Sequence, residues 1–187
     1  MGKNTEKHTD PRRALLDRDT LFSPLSSAER DALAPKLVRR PFAAGEAMVR
    51  QGEAGDSLFL IVEGHLSAMF APPGRAEREA GKLAPGDCFG EMSLMTGAPR
   101  SATVVARTAG VAYELAKADI TPVLASRPII ILDLGNLMAR RQSVLDAIAA
   151  EHPDIDRSDA KNLGATICKW ISAGFRLAPN PAADPAA

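Results

Sequence analysis

The chain has 187 residues, enough for one domain with a proper core plus tails, whereas two full domains would be crowded. Its 23 Lys and Arg balance its 23 Asp and Glu, which excludes a global basic field that would draw nucleic acid or an anionic membrane surface. Any anion site must therefore be local.

Taken in order, residues 1–12 are polar and charged, lack the apolar core of a signal peptide, and read as a disordered lead-in. A short helix is expected from Arg13 to Leu21. Ser26, with Glu29 three residues on, is a helix-start signature, and Leu33, Leu37 and Val38 give that second helix an apolar face. From about 39 to 115 the texture changes to short runs punctuated by Gly45, Gly52, Gly55, Gly64, Gly74, Gly86 and Gly110, a rhythm of strands and turns. Gly45, Gly52, Gly55 and Gly64 are assigned to turns and given no ligand role. Ser57 to Val62 is almost continuously apolar and is expected to be a central strand. Leu66, Ala68 and Phe70, and again Val111, Tyr113 and Leu115, alternate with their neighbours, so each of those strands has one core face.

Past the strands, Asp119 to Ser126 suits a short helix, and Pro128 opens a longer one over about 129–150. Ile130, Leu134, Leu137, Val144, Leu145 and Ile148 share a face at helical spacing, with Arg141 in its middle and Arg140 at its edge. A cation aimed at a core calls for a partner or a flat group to cover, unless its stem snorkels out to solvent. Pro153 ends the helix in a linker, and 159–177 repeats an amphipathic pattern containing Trp170 before a disordered tail. No apolar run is long enough to cross a bilayer. Cys88 and Cys168 form neither a metal motif nor a disulfide framework and suit a reducing, cytoplasmic setting. The fold class expected is α+β: an antiparallel β-roll, like a jelly-roll barrel, flanked by N-terminal helices and a C-terminal helix. One domain is expected over 13–152, followed at 153–187 by linker, helix and tail.

The stretch from Phe89 to Val105 reads as an anion-binding cradle. Gly90 allows a sharp turn into a short helix with Glu91 in its first turn, and a Gly97-Ala98-Pro99 turn returns the chain to Arg100. Unpaired N–H groups at a helix start and the donor fork of Arg100 both match phosphate oxygens. Glu91 cannot serve the anion. As an acceptor its partner is a hydroxyl, and phosphate beside hydroxyl is what a ribose phosphate presents. The alternative is that Glu91 and Arg100 form an internal ion pair that stiffens the turn.

Phe89, Gly90, Glu91, Leu94, Pro99, Arg100, Ala102, Thr103 and Val104 fall without a gap on a known pattern, and the stretch resembles the phosphate-binding cassette of the cyclic nucleotide-binding domain family. The resemblance implies that Glu91 and the Gly90 amide hold the ribose 2′-hydroxyl. Arg100, Ser101 and neighbouring amides among Met92, Ser93 and Ala102 would hold the cyclic phosphate. It also implies that the long helix is a lid closing over the base through an arginine. Periodicity favours Arg141, while counting along the family's pattern favours Arg140. Ser101 after the arginine favours cAMP over cGMP as ligand, with no other cofactor and no metal.

Scattered histidines and the absence of nucleophile or P-loop motifs argue against an enzyme. A transcription regulator of the same superfamily is disfavoured, because only 35 residues follow His152 and they are not basic, so no nucleic-acid partner is expected. Over about 12–150 the chain is similar to C-terminal regulatory domains of bacterial small-conductance mechanosensitive channels and cyclic nucleotide-gated channels. That likeness implies a cytoplasmic sensor acting on a channel or another effector, or on a second copy of itself, with no membrane span in this chain. A ligand-free interaction module of the same fold is the remaining alternative.

Overall fold

A computed structural model describes residues 10–18 and 22–150, so the expectations for 1–9 and for the linker, Trp170 helix and tail at 151–187 lie outside the described residues. Helix α1 (Pro11–Arg18) starts two residues before the expected Arg13. Proline suits a first turn, and the Asp10 side chain accepts from the Arg12 backbone N–H at 2.9 Å, as a helix cap does. Helix α2 (Ser27–Leu33) opens with the anticipated capping box: Ser26 Oγ accepts from the Glu29 N–H, and Glu29 accepts from the Ser26 N–H at 2.7 Å.

Among the described residues eight strands follow: β1 (Val38–Phe42), β2 (Ala47–Val49), β3 (Ser57–Glu63), β4 (Leu66–Phe70), β5 (Arg78–Leu83), β6 (Cys88–Phe89), β7 (Thr103–Ala106) and β8 (Gly110–Ala116). They form two antiparallel sheets in the orders β1-β8-β3-β6 and β2-β7-β4-β5. Helix α3 (Glu91–Thr96) bridges β6 and β7, and α4 (Lys117–Ser126) and α5 (Pro128–Ala150) come last. The fold is α+β, a β-roll flanked by helices.

The continuous apolar run of β3 has a direct explanation. Leu58 and Leu60 join Tyr113 and Leu115 of β8 in a core beneath the helices, with Leu16, Phe22, Ile120, Ile130 and Leu134. Phe59 and Ile61 point the other way into the roll, against Phe42, Leu66, Phe89 and Ala112. Both faces of the strand are covered, so period-2 alternation between apolar and polar residues has no work to do. In β4 the expected alternation fails: Ser67 is buried beside Leu66, and a register shift falls between Ala68 and Met69. Ser67 is tolerated because its hydroxyl donates to Glu79 at 2.8 Å and accepts from Arg107 at 2.8 Å.

Along α5 the buried residues are Ile130, Leu134, Met138 and Leu145, so Met138 takes the place given to Leu137, and Val144 is 43% exposed. Among the described residues no single helix is long and apolar enough to cross a membrane.

Glu29 has a second role. Arg127, the residue between α4 and α5, donates to it through Nε at 3.0 Å and Nη2 at 2.8 Å, a bidentate clasp joining α2 to the start of α5. The Arg127 guanidinium first, and then Ser26, hold the Glu29 carboxyl at about 2, against an ordinary 4.5. A carboxyl depressed on folding stabilises above its unfolded value and loses that contribution as pH falls through the folded one. Melting temperature followed from pH 5 to 2 should therefore fall less steeply in Glu29→Gln than in the parent. Parallel curves would show that the clasp contributes nothing.

Candidate functional site

Phe59 of β3 stacks on Phe89 of β6 with centroids 4.8 Å apart, which fixes the strand that delivers Gly90. Gly90 adopts φ 88°, and a Cβ there would lie 2.6 Å from the Ser57 carbonyl oxygen and 2.7 Å from Arg100 Nη1. Only glycine satisfies both the turn and that approach. Helix α3 then buries Glu91, Ser93, Leu94 and Met95 and ends at Gly97 with φ 73°. The return turn is strapped to the 50–53 loop: the Arg100 N–H donates to Glu53 O at 2.7 Å, and Gly52 N–H donates to Arg100 O at 2.8 Å.

The Arg100 side chain is 7% exposed. Nη1 donates to Ser57 O at 2.9 Å and Gly90 O at 3.0 Å, and Nη2 donates to Ser57 Oγ at 3.1 Å. Burial pushes its pKa below the ordinary arginine value, against the opposing pull of Asp56, Glu114, Glu91 and Glu53. The internal Glu91–Arg100 ion pair is not formed. Glu91, 1% exposed, instead accepts from Arg141 Nη1 at 2.7 Å, and Arg141 Nη2 donates to Cys88 O at 2.7 Å. Burial opposes the charge on Arg141, but Glu91, Cys88 and Asp87 together outweigh it, and its pKa lies above the ordinary value. The pair ties α5 across the mouth of the roll.

Beneath α5 lies a cavity of about 190 Å³. Gly90, Glu91, Met92, Ser93, Arg100, Ser101, Ala102 and Arg141 all line it. Arg140 is exposed and does not, because one step along a helix turns a side chain about 100° away. Ser101 Oγ donates to Met92 Sδ at 3.2 Å inside the cavity. Sequence reasoning missed Val144 and Leu145, which complete the α5 wall, although they stand three and four residues beyond Arg141 on its own face. It also missed Val49 and Leu83 on the roll side and Lys82 at the rim, none of which belongs to a motif, and it gave Val104, which lies on the cassette pattern, no place in the site.

A mainly apolar cleft with one buried cation and one buried carboxylate converging on it is the arrangement that small-molecule pockets share. Residues 39–127 match the family described as the cyclic nucleotide-binding domain. The chain is 45% identical over 86 residues to a cAMP-dependent protein kinase regulatory subunit of Mycosarcoma maydis, covering 46% of this chain and 16% of that protein. It is 40% identical over 108 residues to a cyclic nucleotide-gated potassium channel of Mesorhizobium japonicum, covering 58% and 28%. A solved cyclic nucleotide-binding domain from Methylobacillus flagellatus superimposes with a TM-score of 0.59 at 25% identity, over 76% of this chain and 83% of that one. The chain thus spans less than a third of either curated relative.

Proposed function

We propose that this chain is a cyclic nucleotide sensor that binds cAMP in preference to cGMP under α5 and transmits binding through that helix to a channel or other effector. The observation that carries the reading is Arg100. Its hydrogen bonds go to two carbonyls and a hydroxyl and none to a carboxylate, so a desolvated cation faces the cavity awaiting an anion. Glu91 Oε1 takes Arg141, and the carboxylate's remaining acceptor positions suit a ribose hydroxyl beside the phosphate. Ser101, the hydroxyl that would reach a guanine amino group, is turned to Met92, which supports cAMP. Relatives named as a cAMP-dependent kinase regulatory subunit and a nucleotide-gated channel support the ligand class and a regulatory role.

Calorimetric titration with cAMP and cGMP side by side tests this. Saturable binding of cAMP, tighter than that of cGMP, is expected. Equal or tighter cGMP binding overturns the preference, and no binding of either leaves the ligand-free module.

A further inference from the structure

The glycines of the roll divide into two kinds. Gly45, Gly52, Gly64, Gly74 and Gly86 have positive φ and serve turns. Gly55 does not, so no backbone strain calls for glycine there. What it meets is Arg100: a Cβ on Gly55 would lie 2.0 Å from Nε, 2.2 Å from Cζ and 2.7 Å from Nη2. Near-equal distances to Nε and Cζ, with Nη2 farther, place that Cβ over the flat face of the guanidinium. The side chain of Arg100 is thus laid against the bare backbone of Gly55.

Ser57, two residues on, holds the same group by its edge. Its carbonyl and Gly90 O take both Nη1 hydrogens, and its hydroxyl takes one from Nη2. Of the five donors of a guanidinium, this leaves Nε–H and the second Nη2–H, the parallel pair on one edge that matches two oxygens of a phosphate. No described residue accepts from either.

We infer that Gly55 and Ser57 are positioning residues for Arg100, Gly55 by leaving the space in which the guanidinium lies and Ser57 by spending the wrong donors so that the bidentate edge faces the ligand. The inference rests on the nucleotide-binding reading above. A Cβ at Gly55 should leave the fold intact, because the atoms in its way are the end of a flexible side chain, which can yield. A phosphate contact displaced by even about 1 Å loses much of its strength.

The test is calorimetry on the full chain with cAMP and with adenosine, which lacks the phosphate, together with the Arg100 Nε–H resonance. Gly55→Ala should weaken cAMP at least about tenfold, leave any adenosine binding unchanged, and abolish the shift of the Nε–H line on adding cAMP. Ser57→Ala should weaken cAMP about threefold to tenfold, and Ser57→Thr, which keeps the hydroxyl, should bind as the parent does. Gly55→Ala binding cAMP within about twofold of the parent, with the Nε–H shift intact, overturns the inference while leaving the nucleotide reading standing. Equal losses for cAMP and adenosine overturn it too, since that is a general structural effect. A parent that binds no cyclic nucleotide removes the reading itself.

Discussion

Arg100→Ala should abolish measurable cAMP binding at micromolar nucleotide. Truncating one member of a desolvated charge pair costs about 2–5 kcal/mol, which is roughly thirtyfold to several thousandfold in affinity. The geometry puts the effect toward the upper part of that range, because Arg100 is 7% exposed and the other cation against α3, Arg141, is committed to Glu91 and to the Cys88 carbonyl. The variant also leaves Ser57 O and Gly90 O without their donor, so thermal unfolding should be followed in parallel. A smaller loss is expected for Arg100→Lys, which keeps a charge and gives up the planar fork. Parental affinity in the folded Ala variant would show that the phosphate sits elsewhere.

How much of this could be read from the sequence depends on the range of the interaction. The Ser26–Glu29 capping box spans three residues and was legible. So was β3, whose run of apolar residues announced a strand covered on both faces. The stretch from Phe89 to Ala102 is local as well, and Gly90, the buried carboxylate of Glu91 and the returning Arg100 all line the cavity. The Glu29–Arg127 clasp joins residues 98 apart in the chain, and neither end carries a pattern that names the other. Gly55 reads as a turn residue in the sequence because glycine in a loop has a default explanation, and only the fold brings it against a side chain from a different turn. The alternative that paired Glu91 with Arg100 fails for the same reason: Arg100 is nearby in sequence, and Arg141, 50 residues on, is nearby in space.

The choice between Arg140 and Arg141 turns on which side of α5 meets the roll, and it leads to the second large effect. Arg141 makes two charge-assisted or backbone hydrogen bonds at 2.7 Å to Glu91 and Cys88, whereas Arg140 is exposed. Hydrogen bonds to charged groups contribute about 1.5–3 kcal/mol each, and leaving buried Glu91 without its cation adds to the loss. Arg141→Ala should therefore shift α5 from the closed position toward open ones by a factor of ten or more, about 1.4 kcal/mol per decade. Because Arg141, Val144 and Leu145 form the α5 side of the cavity, the closed form is the one that encloses ligand, and apparent affinity falls with its population. The expected result is cAMP affinity weakened about tenfold or more in Arg141→Ala and within about twofold of the parent in Arg140→Ala. Hydrogen exchange carries the independent check. In the parent, nucleotide should slow exchange along 138–150, since a ligand shifts the helix only by binding one position better than the other. In Arg141→Ala the same amides should exchange faster and respond less. If Arg140→Ala proved the more damaging change, the base contact would come from the outer side of α5, and the helix would have to rotate on binding. If neither variant altered affinity and exchange in α5 ignored saturating cAMP, the helix would be a fixed wall and the site a static binder.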